Sequence, residues 1–300
     1  MKAIAFLCAV ACFAVPRHEA LAQTAGSQKA RGPGQERAHA PSAPVQTYAS
    51  SELDRTIEKL PPDFNGHDIA SVYSALEERK RQSEKSEFET TEQWHRREET
   101  LLLDPIVGRM TVGSIWAFVI DDVSSVYDAD NQVLQIHVPL HSVRSSTGLA
   151  SNFFSTWAKF EGVQSSYLGT NGFGATIEVH NTRYTIHHVA FGNAQSFPMA
   201  EVEDHYSWSS AGWAVTGGGF RVSVPSGPDT AKQMKQELSA LAVCKLTAPF
   251  AVSDYYSESA TVGSPYASQY RDDYVITELL EVWAYDRKSG VIHAKLRPHD

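Results

Sequence analysis

Apolar positions change their period once along this chain, and the change divides it. Over residues 48–105 they recur every three or four residues, the helical interval; over 106–300 they mostly alternate, as in strands with one face in a core. Leu53, Ile57 and Leu60 keep i, i+4, i+7 spacing between Ser51 and Pro61-Pro62, which predicts a short first helix. Asp68 then stands as a cap before Ile69, Val72, Tyr73 and Leu76, a second stripe that trails into the charged residues 77–85. Thr90 and Gln93 have the spacing of a capping box. They open a third helix through Trp94, Arg97 and Leu101 that stops before Pro105.

Alternation then predicts strands over 112–120, 133–137, 175–179, 184–190, 220–224, 242–248, 274–285 and 291–296. One helix interrupts them, with Ala231, Met234, Leu238 and Leu241 striped behind Pro228-Asp229. A hairpin about Asn181-Thr182 would set Val179 against Tyr184, Ile177 against Ile186 and Ala175 against His188, with apolar side chains on one face. Thr182 is poor chemistry for the second position of such a turn. Tyr127-Asp128 and Tyr285-Asp286 each precede a polar turn and a β-branched residue. Duplication of a β unit and shared turn chemistry both account for that likeness. The fold class expected is α+β: N-terminal helices, then an antiparallel β sandwich or incomplete barrel with one inserted helix.

Composition adds an address. Lys2, an apolar run from Ala3 to Val15 and the small-residue site Ala20-Leu21-Ala22 read as a signal peptide over 1–22, too short an apolar run to span a bilayer. Residues 23–47 are rich in Gly, Pro, Ala, Ser and Gln, and are expected to be a disordered tether. A periplasmic or secreted chain without a transmembrane segment follows, in four parts: leader, tether, a helical segment over 48–105 packing on the sheet, and a β-rich domain over 106–300. Cleavage would take Cys8 and Cys12 and leave Cys244 without a disulfide partner; a lipidated Cys12 is the alternative, with an unusually short apolar segment.

The formal net charge is −9, and removal of Lys2, Arg17 and Glu19 makes it −10. An acidic chain repels phosphate backbones, which excludes nucleic acid as an expected partner. No cofactor motif is present. His137 and His141 lie about 13 Å apart if they share a strand, and His187 and His188 point to opposite faces, so neither pair converges on an ion unless Pro139 folds the chain back. His188 is expected to be half-buried against backbone or the Tyr184 hydroxyl, and His187 to be solvated beside Glu178.

Glu201, Glu203, Asp204 and His205 form the densest acidic cluster, suited to calcium or acid–base work and equally to a solvated loop. Cys244 alternates with Ala242, Leu246 and Ala248 and reads as a buried thiol. Gly217-Gly218-Gly219 marks a bulge or a close backbone approach. Tyr206, Trp208 and Trp213 crowd a small-residue stretch, where rings on a loop would stack on a sugar or dock a partner, or would plug a core.

The segment Phe88-Glu89-Thr90-Thr91-Glu92-Gln93-Trp94-His95-Arg96-Arg97 resembles one in uncharacterised exported bacterial proteins, which carry Phe-Glu-Thr, then an aromatic and an Arg at this spacing. Those proteins usually have Tyr where this chain has Trp94. The likeness runs loosely into the Tyr127-Asp128 hairpin, implies a bacterial envelope setting and brings no activity. In it Phe88 and Trp94 would anchor a helix to the sheet, with Arg97 reaching a carboxylate or a strand-end carbonyl. The expected function is an exported binding or interaction module taking a small ligand or an envelope protein. The alternative is an envelope-polymer hydrolase acting through Glu201 or Glu203, or through Cys244.

Overall fold

The Ile69, Val72, Tyr73 and Leu76 stripe forms the buried side of helix α1 (Ile69–Ser83), which packs across the sheet. The computed structural model describes residues 47–120, 122–143, 145–149, 152–170, 174–200, 206–209, 212–261 and 263–299. The expected signal peptide over 1–22, all of the expected tether over 23–47 but its last residue, and the acidic cluster Glu201, Glu203, Asp204 and His205 lie outside them.

Helix α2 (Thr91–Leu103) starts at the expected capping box: the Thr90 hydroxyl accepts from the Gln93 amide, and the Gln93 side chain accepts from the Thr90 amide. It does not anchor to the sheet. Phe88 is 90 % exposed and α2 buries no residue. Instead Trp94 donates to the Ser83 carbonyl (2.6 Å), and Arg97 pairs with Glu89 while donating to the Gln82 and Glu84 carbonyls. Those are carbonyls at the end of α1 that its own ladder leaves unpaired, so α2 caps α1.

The first expected helix does not form. Leu53 and Leu60 are buried, but from an irregular strand-like segment that packs on Trp283 and Tyr285. Leu60 donates its amide to Gly290, and Lys59 bridges to Val291. An i, i+4, i+7 spacing of three residues is met as well by turns that place every third or fourth side chain inward. An ion cluster around one buried carboxylate sews this segment down. Glu281, fully buried, accepts from Arg55 (2.6 Å) and Arg297 (3.1 Å) on one oxygen and from the Trp283 indole (2.6 Å) on the other. Lys295 sits 4.0 Å over the Trp283 ring and donates to the Arg55 and Ile57 carbonyls.

Among the described residues eleven strands follow: β1 (Ile115–Ile120), β2 (Ser124–Asp128), β3 (Val133–Ser142), β4 (Phe154–Thr170), β5 (Thr176–Phe191), β6 (Met199–Ala200), β7 (Tyr206–Ser209), β8 (Gly212–Pro225), β9 (Leu238–Glu258), β10 (Tyr266–Asp286) and β11 (Ile292–Leu296). They make one curled, half-barrel sheet in the order β1-β9-β10-β5-β4-β3-β8-β6, with β2 on β3, β7 on β8 and β11 on β10. Register shifts at Pro139/His141, Trp157/Lys159, Val275/Thr277 and Leu279/Glu281 bend the strands. Its pairs are antiparallel but for β5 with β10, which run parallel. Helix α3 (Pro228–Glu237) is the inserted helix; it ends before Leu241, which belongs to β9.

The Asn181-Thr182 hairpin is absent, because β5 runs straight through both residues. β4, the strand just before it, pairs antiparallel along one side, and β10, far along the chain, pairs parallel along the other, which no local register test sees. Both Tyr-Asp turns form as expected. Asp128 accepts from the amides of Asp130 and Asn131, and Asp286 from that of Ser289. The glycine run is a close approach, since a Cβ on Gly219 would lie 2.4 Å from the Val138 carbonyl oxygen. Gly290 has φ +75° and a Cβ there would meet Leu60 O at 2.0 Å. Gly290→Ala is therefore expected to lower the unfolding free energy by about 2 kcal/mol, read from urea denaturation; an unchanged midpoint would contradict that close approach.

β1 reaches β9 only at Ala240–Lys245, and β3 reaches β4 only at Phe154 and Ser155. Beyond those points β4, β5, β10 and β9 continue as a four-stranded blade, its two outer edges unpaired among the described residues.

Candidate functional site

The blade carries aromatic residues at matched intervals. β5 holds His180, Tyr184 and His188, and β10 holds Tyr266, Tyr270 and Tyr274, each four residues apart and so on one face of its strand. The parallel register sets His180 against Tyr266, Tyr184 against Tyr270 and His188 against Tyr274. All three pairs stack, with centroids 5.5, 4.9 and 4.5 Å apart. A transverse belt crosses the middle pair: Phe160 lies 5.3 Å from Tyr184, and Tyr256 5.9 Å from Tyr270. Gly162 stands opposite Tyr184 in register.

Acids share the face. Asp254 stands opposite Asp272 in register, Asp272 meets His188 at 3.2 Å, and the Tyr256 hydroxyl donates to Glu258 at 3.2 Å. Exposure grades along the face. His180 and Tyr266 are open at the outer end, while His188 and Tyr274 are buried at the inner end. There His141 stacks on Trp157 at 5.1 Å. Both its ring nitrogens are buried without a hydrogen-bond partner in the protein. Burial, then the neighbouring His188, pushes the His141 pKa down to about 4, so the ring is neutral at pH 7.

The opposite face faces α1. His187 lies 3.7 Å from Asp273, which accepts from Arg271 at 2.8 Å, and Arg271 sits over the Tyr73 ring. Burial, then Asp273, raises the Tyr73 hydroxyl to about 12; burial lowers the His187 pKa against the pull of Asp273. This polar seam seats α1. A cleft of about 310 Å³ opens nearby between Asn65, Asp68, Lys159 and Arg287, but its lysine already pairs with Asp68 (3.3 Å) and Glu161 (3.0 Å).

Several expectations change on this geometry. His187 is buried against Asp273, not solvated beside Glu178, and His188 pairs with Asp272, not with backbone or Tyr184. His187 and His188 do point to opposite faces, and among the described residues no group of three His, Cys, Asp or Glu is placed to hold a metal ion. Cys244 is fully buried, and burial pushes its thiol up to about 12, so it is no nucleophile. Tyr206, Trp208 and Trp213 lie on paired strands instead of a loop, Trp208 opposite Trp213; their side chains are outside the described residues. Compared with protein-family models, with curated proteins and with solved structures, the chain matches none. The aromatic face was missed at sequence level although its signal was present: two segments, each with three rings at i, i+4 and i+8, the spacing that keeps side chains on one face of a strand.

Proposed function

We propose that this chain is an exported binding module of the bacterial envelope, cleaved after Ala22, spaced by residues 23–47 and taking its ligand on the aromatic face of the blade. The observation that carries the reading is the pairing of open rings with carboxylates on one rigid surface: Tyr266 is 65 % exposed, and Asp254 and Glu258 are half-buried on the same face. Rings offer apolar contact at low entropic cost, and ionised carboxylates only accept hydrogen bonds. The ligand therefore presents flat apolar patches edged by hydroxyl or amine donors. The charge of −9 disfavours phosphate-rich polymers. Among the described residues no helix is long and apolar enough to cross a membrane.

The hydrolase alternative loses its cysteine form, because the Cys244 thiol is sealed within the sheet. A co-sedimentation assay tests the binding reading. The secreted chain should begin at Gln23 by mass and sediment with isolated envelopes, and Tyr266→Ala with Tyr256→Ala should weaken that association at least tenfold, the usual effect of removing aromatic anchors. An uncleaved chain, or a variant that sediments as the parent does, overturns the reading.

A further inference from the structure

The outer edge of β4 is long, open and poorly guarded. Thr156 to Lys159 are buried or half-buried beside β1 and α1, but from Phe160 to Thr170 the strand pairs with β5 on one side and, among the described residues, with nothing on the other. Proteins protect such an edge with proline, closely spaced charge, a covering element or short length. This one has its only charges, Lys159 and Glu161, near the core end, and Gly162 to Thr170 carries neither charge nor proline. Large apolar side chains stand on both of its faces. Phe160 is 58 % and Leu168 76 % exposed on the aromatic side, Val163 67 % and Tyr167 52 % on the other.

We propose that β4 pairs antiparallel with β4 of a second copy of this chain, joining two blades into a continuous eight-stranded sheet. A two-fold joint of this kind must set each residue against one on the same face, so the sum of paired positions is even. Centring the axis on Gln164 satisfies the strand best. Phe160 then meets the partner's Leu168, Gly162 the partner's Ser166 and Gln164 its own copy. On the other face Glu161 meets the partner's Tyr167 and Val163 the partner's Ser165. The two large exposed apolar residues that β4 carries on the aromatic side cover each other twice, and no carboxylate opposes a carboxylate. Moving the axis to Val163 would set Phe160 against Ser166 and Leu168 against Ala158, and forfeits that match. A second copy is the occupant because the strand complements itself. Each copy carries −9 while the paired stretch holds one lysine and one glutamate, Lys159 and Glu161, so the copies repel at long range and added salt strengthens the joint by screening.

Sedimentation equilibrium of the chain beginning at Gln23 should show a dimer with a Kd of roughly 1–100 μM that tightens from low to high salt. Phe160→Lys with Leu168→Lys sets lysine against lysine at both ends and should weaken the dimer at least about a hundredfold, with the circular dichroism and melting of the parent showing an intact fold. Phe160→Lys with Leu168→Glu should restore it, because each new ammonium then faces a carboxylate. In the chain beginning at Gln23, which keeps only the buried Cys244, Gln164→Cys should form an intermolecular disulfide when a copper–phenanthroline oxidant is added, the two thiols giving up two electrons and two protons to it. A parent that stays monomeric at all concentrations and salts overturns the proposal. So does a dimer that survives the double lysine variant, a charge-swapped pair that fails to restore it, or preferential cross-linking through Ser257→Cys on the β9 edge.

Discussion

Glu281→Ala is expected to cost about 3–4 kcal/mol of stability, measured by urea denaturation at pH 7. The side chain is fully buried and is the common acceptor for Arg55, Arg297 and the Trp283 indole. Removing it strands a buried indole N–H and takes from Arg55 and Arg297 their shared carboxylate. Burial alone would raise the Glu281 pKa, but the hydrogen bonds from Arg55 and Trp283 outweigh it and hold the carboxyl below its ordinary value of 4.5. Its contribution is thus present above pH 4.5 and is lost as pH falls through the lower folded value. Glu281→Gln keeps one acceptor and should lose less than the alanine variant. Equal stability of parent and alanine variant would mean that the cluster ties nothing down.

Acid should unfold this protein in a second, higher window. His141 titrates near 4 in the fold against 6.5 when free, so between those values the unfolded chain holds a proton that the folded chain does not. Stability therefore rises with pH across the interval, and going from pH 6.5 to 4 removes roughly 3 kcal/mol through this one ring. Burial lowers His187 and His67 as well, which adds to the slope with the same sign. His141→Phe keeps the stack on Trp157 and cannot be protonated, so its stability should vary less with pH over this range than that of the parent. Parallel curves for the two proteins would show that His141 takes up protons freely when folded.

Much of the local structure was legible, and the failures share one cause. The Thr90 capping box, the Asp128 and Asp286 turns, the proline start of α3 and the burial of Cys244 each depend on neighbours within a few residues, and each formed as read. The helix over Leu53 to Leu60 and the turn at Asn181-Thr182 did not, because the partners that decide them, Trp283 and Gly290 for the first and β10 for the second, lie far along the chain. The candidate site failed for a subtler reason. The rings of β5 and β10 were visible as intervals of four, but only a parallel pairing of the two strands turns those intervals into a face. Parallel pairing leaves no hairpin signature in sequence.

The same parallel pairing has a consequence for biosynthesis. His188 meets Asp272 across 84 positions, and Arg55 meets Glu281 across 226, so a ribosome must deliver nearly the whole polypeptide before either contact closes. Such high contact order slows acquisition of the native state and keeps the nascent molecule pliable until synthesis is almost complete. Stop codons placed before the final third would then yield products that cannot complete the blade and fall to proteolysis.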